Sequence, residues 1–269
     1  MLSKSGQTVL QSTIQVAVDA GEILRKKFTR KKKVRFKGLR DIVTDVDLLV
    51  EKKIRQSLKE EFPDIDFVGE ETINYEKELD SEGYKWVVDP IDGTRNFAAG
   101  IPFFSLVIGL TLNNKIILGV NYDPLRDEMF YSEKGMGAFL NKKKINVSRK
   151  KSLEASIVGV DLSYDEDGAA KSIEPILKMW PNIQTARIMG SAALGLSYVA
   201  AGRTDLYFHY QLQPWDQIAG ILLIKEAGGI VSDRHGQNFE LFSKGIVAAN
   251  KIVHSEFMEI SKGLKFRKA

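Results

Sequence analysis

Cysteine is absent from the 269 residues of the chain, and histidine occurs only three times, as His209, His235 and His254. Without cysteine the protein can form no disulfide. It can also offer no thiolate as a catalytic nucleophile or as a ligand for zinc or an iron–sulfur cluster. The absence of cysteine favours an intracellular protein, and we predict a cytoplasmic location.

Long hydrophobic runs and a strong net charge are also absent. No apolar run approaches the ~20 residues that span a bilayer, and residues 1–10 lack the hydrophobic region of a signal peptide, so we expect no membrane association. The formal net charge is only +4, which permits an anionic partner without demanding nucleic acid. The basic residues are concentrated in runs at 25–37, 142–144 and 149–151. Such runs are most often solvated loops, but contact with phosphate or RNA stays open.

The pattern of predicted elements changes between the two halves of the chain. Helical periodicity over 8–28 and from 41 to 58 predicts two amphipathic helices joined by a basic loop or hairpin, and a series of short strands follows. After the charged segment 141–151, strands alternate with helices, which favours an α/β layer arrangement. We therefore predict an N-terminal α+β half, residues 1–145, and a C-terminal α/β half, residues 146–269.

The stretch from Trp86 to Phe97 contains the most informative residues. A short apolar strand ends at Asp89, and Asp92 follows three residues later, after a proline. Pro90 biases Asp89 toward an extended conformation and Gly93 permits a tight turn, so the two carboxylates can face one point. Their repulsion is usually offset by a shared divalent cation, and oxygen ligands suit magnesium or calcium better than zinc. A turn that merely joins two elements is the alternative.

Three further carboxylates stand at the ends of predicted elements. Glu70 follows an apolar strand in the same way as Asp89. Asp47 lies three residues after Thr44, a spacing typical of a helix-capping box, and Asp216 lies in the first turn of a helix, where an acid favours the helix dipole. Capping alone explains Asp47 and Asp216 on this evidence, and a role in a metal site is the alternative.

Four segments, taken in order, resemble the motifs of the inositol monophosphatase superfamily of magnesium-dependent, lithium-sensitive phosphatases. The resemblance covers nearly the whole chain. It implies a layered α-β-α-β-α sandwich, a homodimer, and hydrolysis of a small phosphorylated alcohol, foremost inositol 1-monophosphate, by metal-activated water. The segments are Gly69-Glu70-Glu71, Asp89 to Phe97, Gly190 to Ala193, and Trp215-Asp216 leading to 226–229.

The resemblance also implies a site for two to three Mg²⁺ ions, with Li⁺ as an inhibitor. By motif position, Glu70, Asp89 and the carbonyl of Ile91 hold one ion. Asp89, Asp92 and Asp216 hold a second, and Glu70 positions a third through water. Magnesium ions of this kind would stabilise charge on the transferred phosphoryl group and lower the pKa of a bound water.

The same resemblance implies which residues act in catalysis and which bind the phosphate. Thr94, supported by Asp47, resembles the pair that orients the attacking water, so that Glu70, Thr94 and Asp47 are the expected catalytic residues. Gly93 and Thr94 would offer backbone N–H groups to the phosphate, and Asp92 would be a further substrate-binding residue next to them.

The resemblance is weaker on the side that binds the alcohol. Ala192 matches a position that lines this side, but His209 stands where the inositol phosphatases of the family usually carry a glutamate. A neutral histidine accepts one hydrogen bond, whereas a carboxylate can accept a hydrogen bond from each of two hydroxyls. A structural role at a strand end is equally open for His209. Lys37 lies one residue away from a family lysine on the loop before the second helix, which would contact the substrate, and its neighbours Arg35 and Arg40 could substitute for it.

Several substrates therefore stay open. Related families with the same metal core act on fructose 1,6-bisphosphate, adenosine 3′,5′-bisphosphate or histidinol phosphate, and the basic loop 25–40 could reach a second phosphate. A function of another class is also open, because some bacterial relatives bind RNA or a transcription complex, and the clustered lysines and arginines would suit such a role.

Overall fold

Residues 1–38, 40–72 and 82–268 are described by a computed structural model of the protein. Seven α-helices lie in these ranges, and none of them combines the length and the apolar character needed to cross a bilayer. The helices are α1 (Val9–Phe28), α2 (Asp45–Glu61), α3 (Thr94–Ala99), α4 (Glu166–Met179), α5 (Ala192–Ala200), α6 (Pro214–Glu226) and α7 (Lys251–Ile260), followed by a short 3₁₀ helix at Lys265–Arg267.

The strands of the described ranges form two large sheets and one hairpin. The hairpin is β1-β2; the first sheet has seven strands in the order β3-β4-β5-β6-β7-β8-β9, and the second has five in the order β11-β10-β12-β14-β13. Among the described strands of the first sheet, only β3 and β4 pair in parallel, whereas the second sheet is mixed. The strands are β1 (Val34–Phe36), β2 (Ile42–Thr44), β3 (Asp66–Gly69), β4 (Tyr84–Asp92), β5 (Ser105–Leu112), β6 (Lys115–Asp123), β7 (Glu128–Glu133), β8 (Ala138–Leu140), β9 (Lys143–Ile145), β10 (Ile157–Val160), β11 (Thr185–Arg187), β12 (Leu206–His209), β13 (Ile230–Ser232) and β14 (Ile246–Ala249).

Alternating side chains on each sheet produce the layers, because neighbouring residues of a strand point to opposite faces. On β4, Trp86 belongs to the apolar core under α1 and α2, whereas Val87 belongs to the core that contains α5 and α6. On β12, Tyr207 joins the α5 and α6 core, and Phe208 packs in a third core with Phe257 of α7. The predicted α-β-α-β-α sandwich is therefore confirmed.

Several sequence predictions differ from the observed elements. The second helix begins at Asp45 and not at Asp41, because Ile42–Thr44 pairs with Val34–Phe36 as the second strand of the hairpin. The strand predicted to end at Asp89 continues to Asp92, with a register shift against β5 between the two aspartates. Helix α3 and strand β9 were not predicted. The predicted surface connection at 72–83 lies largely outside the described residues.

The boundary between the two predicted halves falls in the segment that joins β9 to β10. The core around α5 and α6 draws on both sides of that boundary, since it contains Val107 and Phe130 of the first sheet with Ile246 of the second. The division into residues 1–145 and 146–269 stays a prediction from the sequence.

Candidate active site

Three aspartates converge where β4 ends and α6 begins. Asp89, Asp92 and Asp216 each direct a carboxylate oxygen so that the three oxygens lie within 4.8 Å of one another. Two of these carboxylates are fixed by the neighbouring main chain. Oδ1 of Asp89 accepts from the N–H of Ile91 at 2.9 Å, and Oδ2 of Asp216 accepts from the N–H of Gln213 at 2.8 Å.

The mutual repulsion of these carboxylates shows in their pKa values. Burial raises the pKa of Asp89, and the charges of Glu70, Asp92 and Asp216 raise it further. Burial, followed by the charges of Asp92 and Glu70, likewise raises the pKa of Asp216. A cation among the oxygens would stabilise the ionised carboxylates, and an all-oxygen donor set suits a hard divalent ion. The cluster could therefore hold a metal ion.

Asp92 connects this cluster to the first turn of α5. Its Oδ2 accepts from the hydroxyl of Ser191 and from the N–H of Ala193 at 3.1 Å, and its Oδ1 accepts from the N–H of Ala192 at 3.2 Å. Burial raises the pKa of Asp92 to about 7, although these hydrogen bonds oppose the shift. Ala192, predicted to line the alcohol side, thus lies directly beside the cluster.

Gly93 turns the chain between the aspartates and α3. Its φ is +91°, and a Cβ at this position would lie 3.0 Å from the carbonyl oxygen of Gly190 and 3.2 Å from that of Phe103. A side chain would be strained by the backbone angle and would collide with these carbonyls. The turn thus needs glycine and places Thr94 at the edge of the site.

The hydroxyl of Thr94 lies between two acceptors, 3.0 Å from Oδ1 of Asp47 and 2.9 Å from the carbonyl oxygen of Ile91. Asp47 is fully buried, and its Oδ2 accepts from the N–H of Thr44 at 2.9 Å and from the hydroxyl of Thr44. Burial raises the pKa of Asp47 to about 6. The predicted capping box is present, and Asp47 caps α2 with one oxygen while the other meets Thr94.

Glu70 lies beside the aspartates but is paired with a lysine. The Nζ atom of Lys37 is 2.7 Å from Oε1 of Glu70 and 2.9 Å from Oε1 of Glu71. Glu70 follows β3, which runs parallel to β4, and the charge of Glu70 acts on both Asp89 and Asp216. Lys37, predicted to contact the substrate, forms ion pairs with both glutamates in the structure.

His209 ends β12 in a buried environment. Its Nδ1 accepts from the N–H of Gln211 at 3.0 Å, and burial lowers the pKa of the ring to about 4. The imidazole is therefore neutral at pH 7 and serves as a hydrogen-bond acceptor for the main chain. No hydrogen bond of His209 within the described ranges reaches the three aspartates.

The buried imidazole predicts a specific acid sensitivity. The pKa of His209 lies near 6.5 in the unfolded chain and about 4 in the folded protein. The neutral imidazole therefore contributes fully to the free energy of unfolding above pH 6.5. This contribution, up to about 3 kcal/mol, is lost as the pH falls from 6.5 toward 4. We expect urea unfolding to show that the difference in free energy of unfolding between wild type and His209→Asn is constant above pH 6.5 and changes in favour of the variant below it. A pH-independent difference would contradict this.

Asp161 is a site neighbour that the sequence interpretation missed. Its Oδ1 accepts from the N–H groups of Met189, at 2.9 Å, and Gly190, at 2.6 Å, and its Oδ2 accepts from the hydroxyl of Tyr207 at 3.0 Å. Asp161 thereby holds the turn that leads to Ser191 and the start of α5. The signal was available, because Asp161 directly follows an apolar strand, as Glu70 and Asp89 do.

Comparison with known proteins identifies the family of the chain. The profile of the inositol monophosphatase family matches residues 6–264. The fructose-1,6-bisphosphatase/inositol-1-monophosphatase of Thermotoga maritima is 39% identical, over 83% of this chain and 83% of its own length. Nus factor SuhB of Pseudomonas aeruginosa is 38% identical, over 91% of this chain and 92% of its own.

A solved structure has the same architecture. The extragenic suppressor protein suhB of Bartonella henselae superposes with a TM-score of 0.89 at 36% identity, covering 95% of this chain and 99% of its own. The chain therefore belongs to the inositol monophosphatase family and is a phosphoric monoester hydrolase.

Proposed function

We propose that the protein is a magnesium-dependent phosphatase that hydrolyses a small phosphorylated alcohol, with inositol 1-monophosphate as the leading substrate. The observation that carries the proposal is the convergence of Asp89, Asp92 and Asp216. These oxygens suit magnesium, and the raised pKa values of the carboxylates are those expected where a bound cation would relieve repulsion.

The residues around the cluster fit the roles that this chemistry needs. Glu70, Asp89, the Ile91 carbonyl, Asp92 and Asp216 would hold two to three magnesium ions. When bound, magnesium stabilises charge on the phosphoryl group and supplies an activated water. Lithium, as a competing cation, would inhibit.

Thr94 would orient the attacking water. Its hydroxyl can donate to Asp47, and its oxygen would accept a hydrogen bond from the water. The water oxygen then forms a new bond to phosphorus, the bond from phosphorus to the alcohol oxygen breaks, and a proton ends on the released alcohol. Backbone N–H groups of Gly93 and Thr94 would contact the phosphate.

The first test is phosphate release from inositol 1-monophosphate by the purified protein. We expect release with Mg²⁺, none after chelation with EDTA, recovery when Mg²⁺ is restored in excess, and inhibition by Li⁺. Release that persists at the same rate in EDTA would contradict a metal mechanism. A failure to release phosphate from any alcohol phosphate would contradict the proposed function.

The same assay separates the alternative substrates. Fructose 1,6-bisphosphate is the first alternative, because the T. maritima relative carries both activities in its name. Adenosine 3′,5′-bisphosphate and histidinol phosphate complete the panel. The substrate with the largest kcat/KM identifies the alcohol, since kcat/KM measures discrimination between competing substrates.

A second candidate function is contact with RNA or a transcription complex. It is favoured by the name of the P. aeruginosa relative and by the exposed Lys31, Lys33 and Arg35. Lys31 and Lys33 lead into the β1-β2 hairpin and Arg35 lies in β1; residues 31–44 are here called the basic hairpin. Lys32 is not part of this surface, because its Nζ lies 4.7 Å from the ring centroid of Phe97 and donates to the carbonyl of Phe28. The candidate surface thus consists of three cations.

Neutralising these three cations tests the second function. We expect Lys31→Gln, Lys33→Gln and Arg35→Gln together to weaken binding to single-stranded RNA and to reduce its salt dependence, since each lost phosphate contact lowers the slope by about 0.7. The matched control neutralises Lys142, Lys143 and Lys144. Equal binding by both triple variants would count against the hairpin surface.

The homodimer and the cytoplasmic location are proposals that rest on the resemblance and on the lack of cysteine. Sedimentation equilibrium of the purified protein tests the first of them. A mass of one chain, 30.2 kDa, across the accessible concentration range would contradict a stable dimer.

A further inference from the structure

Asp161 is a buried carboxylate that belongs neither to the proposed metal ligands nor to the proposed catalytic residues. It directly follows β10, and only 6% of its surface is exposed. Among the described residues, no lysine, arginine or histidine forms an ion pair with it. A buried carboxylate without a cation is costly unless hydrogen bonds stabilise it. The donors that surround Asp161 therefore determine what this residue does.

Tyr207 holds one oxygen of Asp161 from the second sheet. Its hydroxyl donates to Oδ2 at 3.0 Å, and its ring is fully buried on β12. The ring lies so close to the main chain of α5 that a Cβ on Gly195 would collide with it. The hydroxyl of Tyr207 thus has a fixed position, and it fixes the carboxylate of Asp161.

The other oxygen of Asp161 holds the turn formed by Met189 and Gly190. Oδ1 accepts from the N–H groups of both residues, at 2.9 Å and 2.6 Å. Asn96 of α3 holds the same turn by its carbonyl groups, because its Nδ2 donates to the carbonyl oxygen of Met189 at 2.7 Å and to that of Gly190 at 3.3 Å. The main chain of this turn is therefore fixed through its N–H groups and through its carbonyl groups.

The Met189–Gly190 turn leads directly to the groups that orient Asp92. Ser191 follows the turn as the N-cap of α5, and its hydroxyl donates to Asp92 together with the N–H groups of Ala192 and Ala193. The charge of Asp161 also acts on Asp92, since it raises the pKa of that carboxyl. Asp161 is thus connected to Asp92 by a continuous series of hydrogen bonds and consecutive residues.

We propose that Asp161 is a positioning residue of the metal site: by holding the Met189–Gly190 turn it orients the carboxylate of Asp92 and so raises the affinity of the protein for Mg²⁺. This inference rests on the proposed function, because it requires Asp92 to be a metal ligand. Asp161 itself contacts no metal ion. The residues that hold a ligating side chain in place typically contribute about tenfold to hundredfold to metal affinity.

The test is isothermal titration calorimetry of the purified protein with Mg²⁺ alone. We expect Asp161→Ala to raise the Kd for Mg²⁺ about tenfold, because the N–H groups of the turn lose their acceptor. Asp161→Asn keeps an oxygen that can accept from both N–H groups, so it should retain most of the affinity that Asp161→Ala loses. Retention in the asparagine variant assigns the effect to the hydrogen bonds of the turn.

Asp205→Ala is the matched control. Asp205 is also buried, and its Oδ2 accepts from the N–H of Ile157 at 2.7 Å, at the opposite end of β10. Its replacement removes the same kind of hydrogen bond and should lower the melting temperature, but it leaves the turn before α5 untouched. The Kd for Mg²⁺ should therefore stay at the wild-type value in Asp205→Ala.

Tyr207→Phe tests the same connection with a smaller change, and it decides the question if Asp161→Ala does not fold. The variant keeps the ring and removes only the hydrogen bond to Oδ2 of Asp161. We expect the Kd for Mg²⁺ to rise by roughly threefold, the effect of one hydrogen bond. In the Asp161→Ala background the same substitution should have no further effect on the Kd, because the two residues act through one contact.

Two results would overturn the inference while leaving the proposed function intact. One is a wild-type Kd for Mg²⁺ in folded Asp161→Ala or, if that variant does not fold, in Tyr207→Phe. The other is an equal rise in the Kd in Asp205→Ala, which would show that any loss of stability weakens the site. A wild-type protein that binds no Mg²⁺ would contradict the proposed function itself.

Discussion

Asp89→Asn is expected to lower phosphatase turnover by about 10³-fold or more, because a metal ion contributes several kcal/mol of charge stabilisation in the transition state and each 1.36 kcal/mol is tenfold. Asp89 is the predicted ligand that the first two ions share, so losing its charge would weaken both. The amide keeps the oxygen that accepts from the N–H of Ile91 and removes only the charge. The measurement is kcat at saturating Mg²⁺ and inositol 1-monophosphate.

The same substitution should stabilise the protein when metal is absent. Asp89 and Asp92 are buried and Asp216 is half-buried. The charges of Asp92 and Asp216 raise the pKa of Asp89, and the charge of Asp92 raises the pKa of Asp216. Removing one charge relieves this repulsion, so metal-free Asp89→Asn should melt at a higher temperature than metal-free wild type. Added Mg²⁺ should raise the melting temperature of the wild type but not that of the variant, since a ligand stabilises only the protein that binds it.

Asp64→Asn is the matched control, because Asp64 is an exposed carboxylate in the loop after α2. It should change neither turnover nor the response to Mg²⁺. Near-wild-type turnover in Asp89→Asn would contradict the proposal that the aspartates hold a catalytic metal ion. A large loss of turnover with an intact rise in melting temperature on adding Mg²⁺ would instead show that Asp89 acts in the chemical step and not in metal binding.

Much of the fold and part of the site could be predicted because the determining signals are local. The 3.6-residue period of α1, the capping box of Thr44 and Asp47, and the apolar strand before Asp89 each lie within a short window. Short-range patterns of this kind reflect the backbone geometry directly. The layered order of the sandwich, however, came from the resemblance.

The contacts that complete the site could not be predicted, because they join distant residues. The carboxylate of Asp92 contacts the start of α5, about a hundred residues later. Lys37, in the turn between β1 and β2, pairs with Glu70, which follows β3. No periodic pattern in the sequence indicates either of these two contacts. The second helix was placed too early for a related reason, since residues 42–44 gain more from pairing with β1 than from helical propensity.

Thr94→Val is expected to lower kcat by about 10²-fold while leaving metal binding intact, because it removes a hydroxyl that orients the attacking water and not a metal ligand. Valine has nearly the shape of threonine, so the backbone of α3 and its approach to the phosphate should persist. The hydroxyl lies 3.0 Å from Oδ1 of Asp47, whose other oxygen is held by Thr44. The orientation of the water thus depends on a fixed chain of hydrogen bonds.

Three measurements separate this role from a structural one. Thr94→Ser retains the hydroxyl and should retain most of the turnover, so that it serves as the matched control. The rise in melting temperature with Mg²⁺ should be the same in wild type, Thr94→Val and Thr94→Ser, whereas Asp89→Asn loses it. Asp47→Asn should also lower kcat, because the amide cannot offer Thr94 an ionised acceptor. Wild-type kcat in Thr94→Val would show that water is oriented without this hydroxyl, since valine removes the hydrogen bond between Thr94 and Asp47.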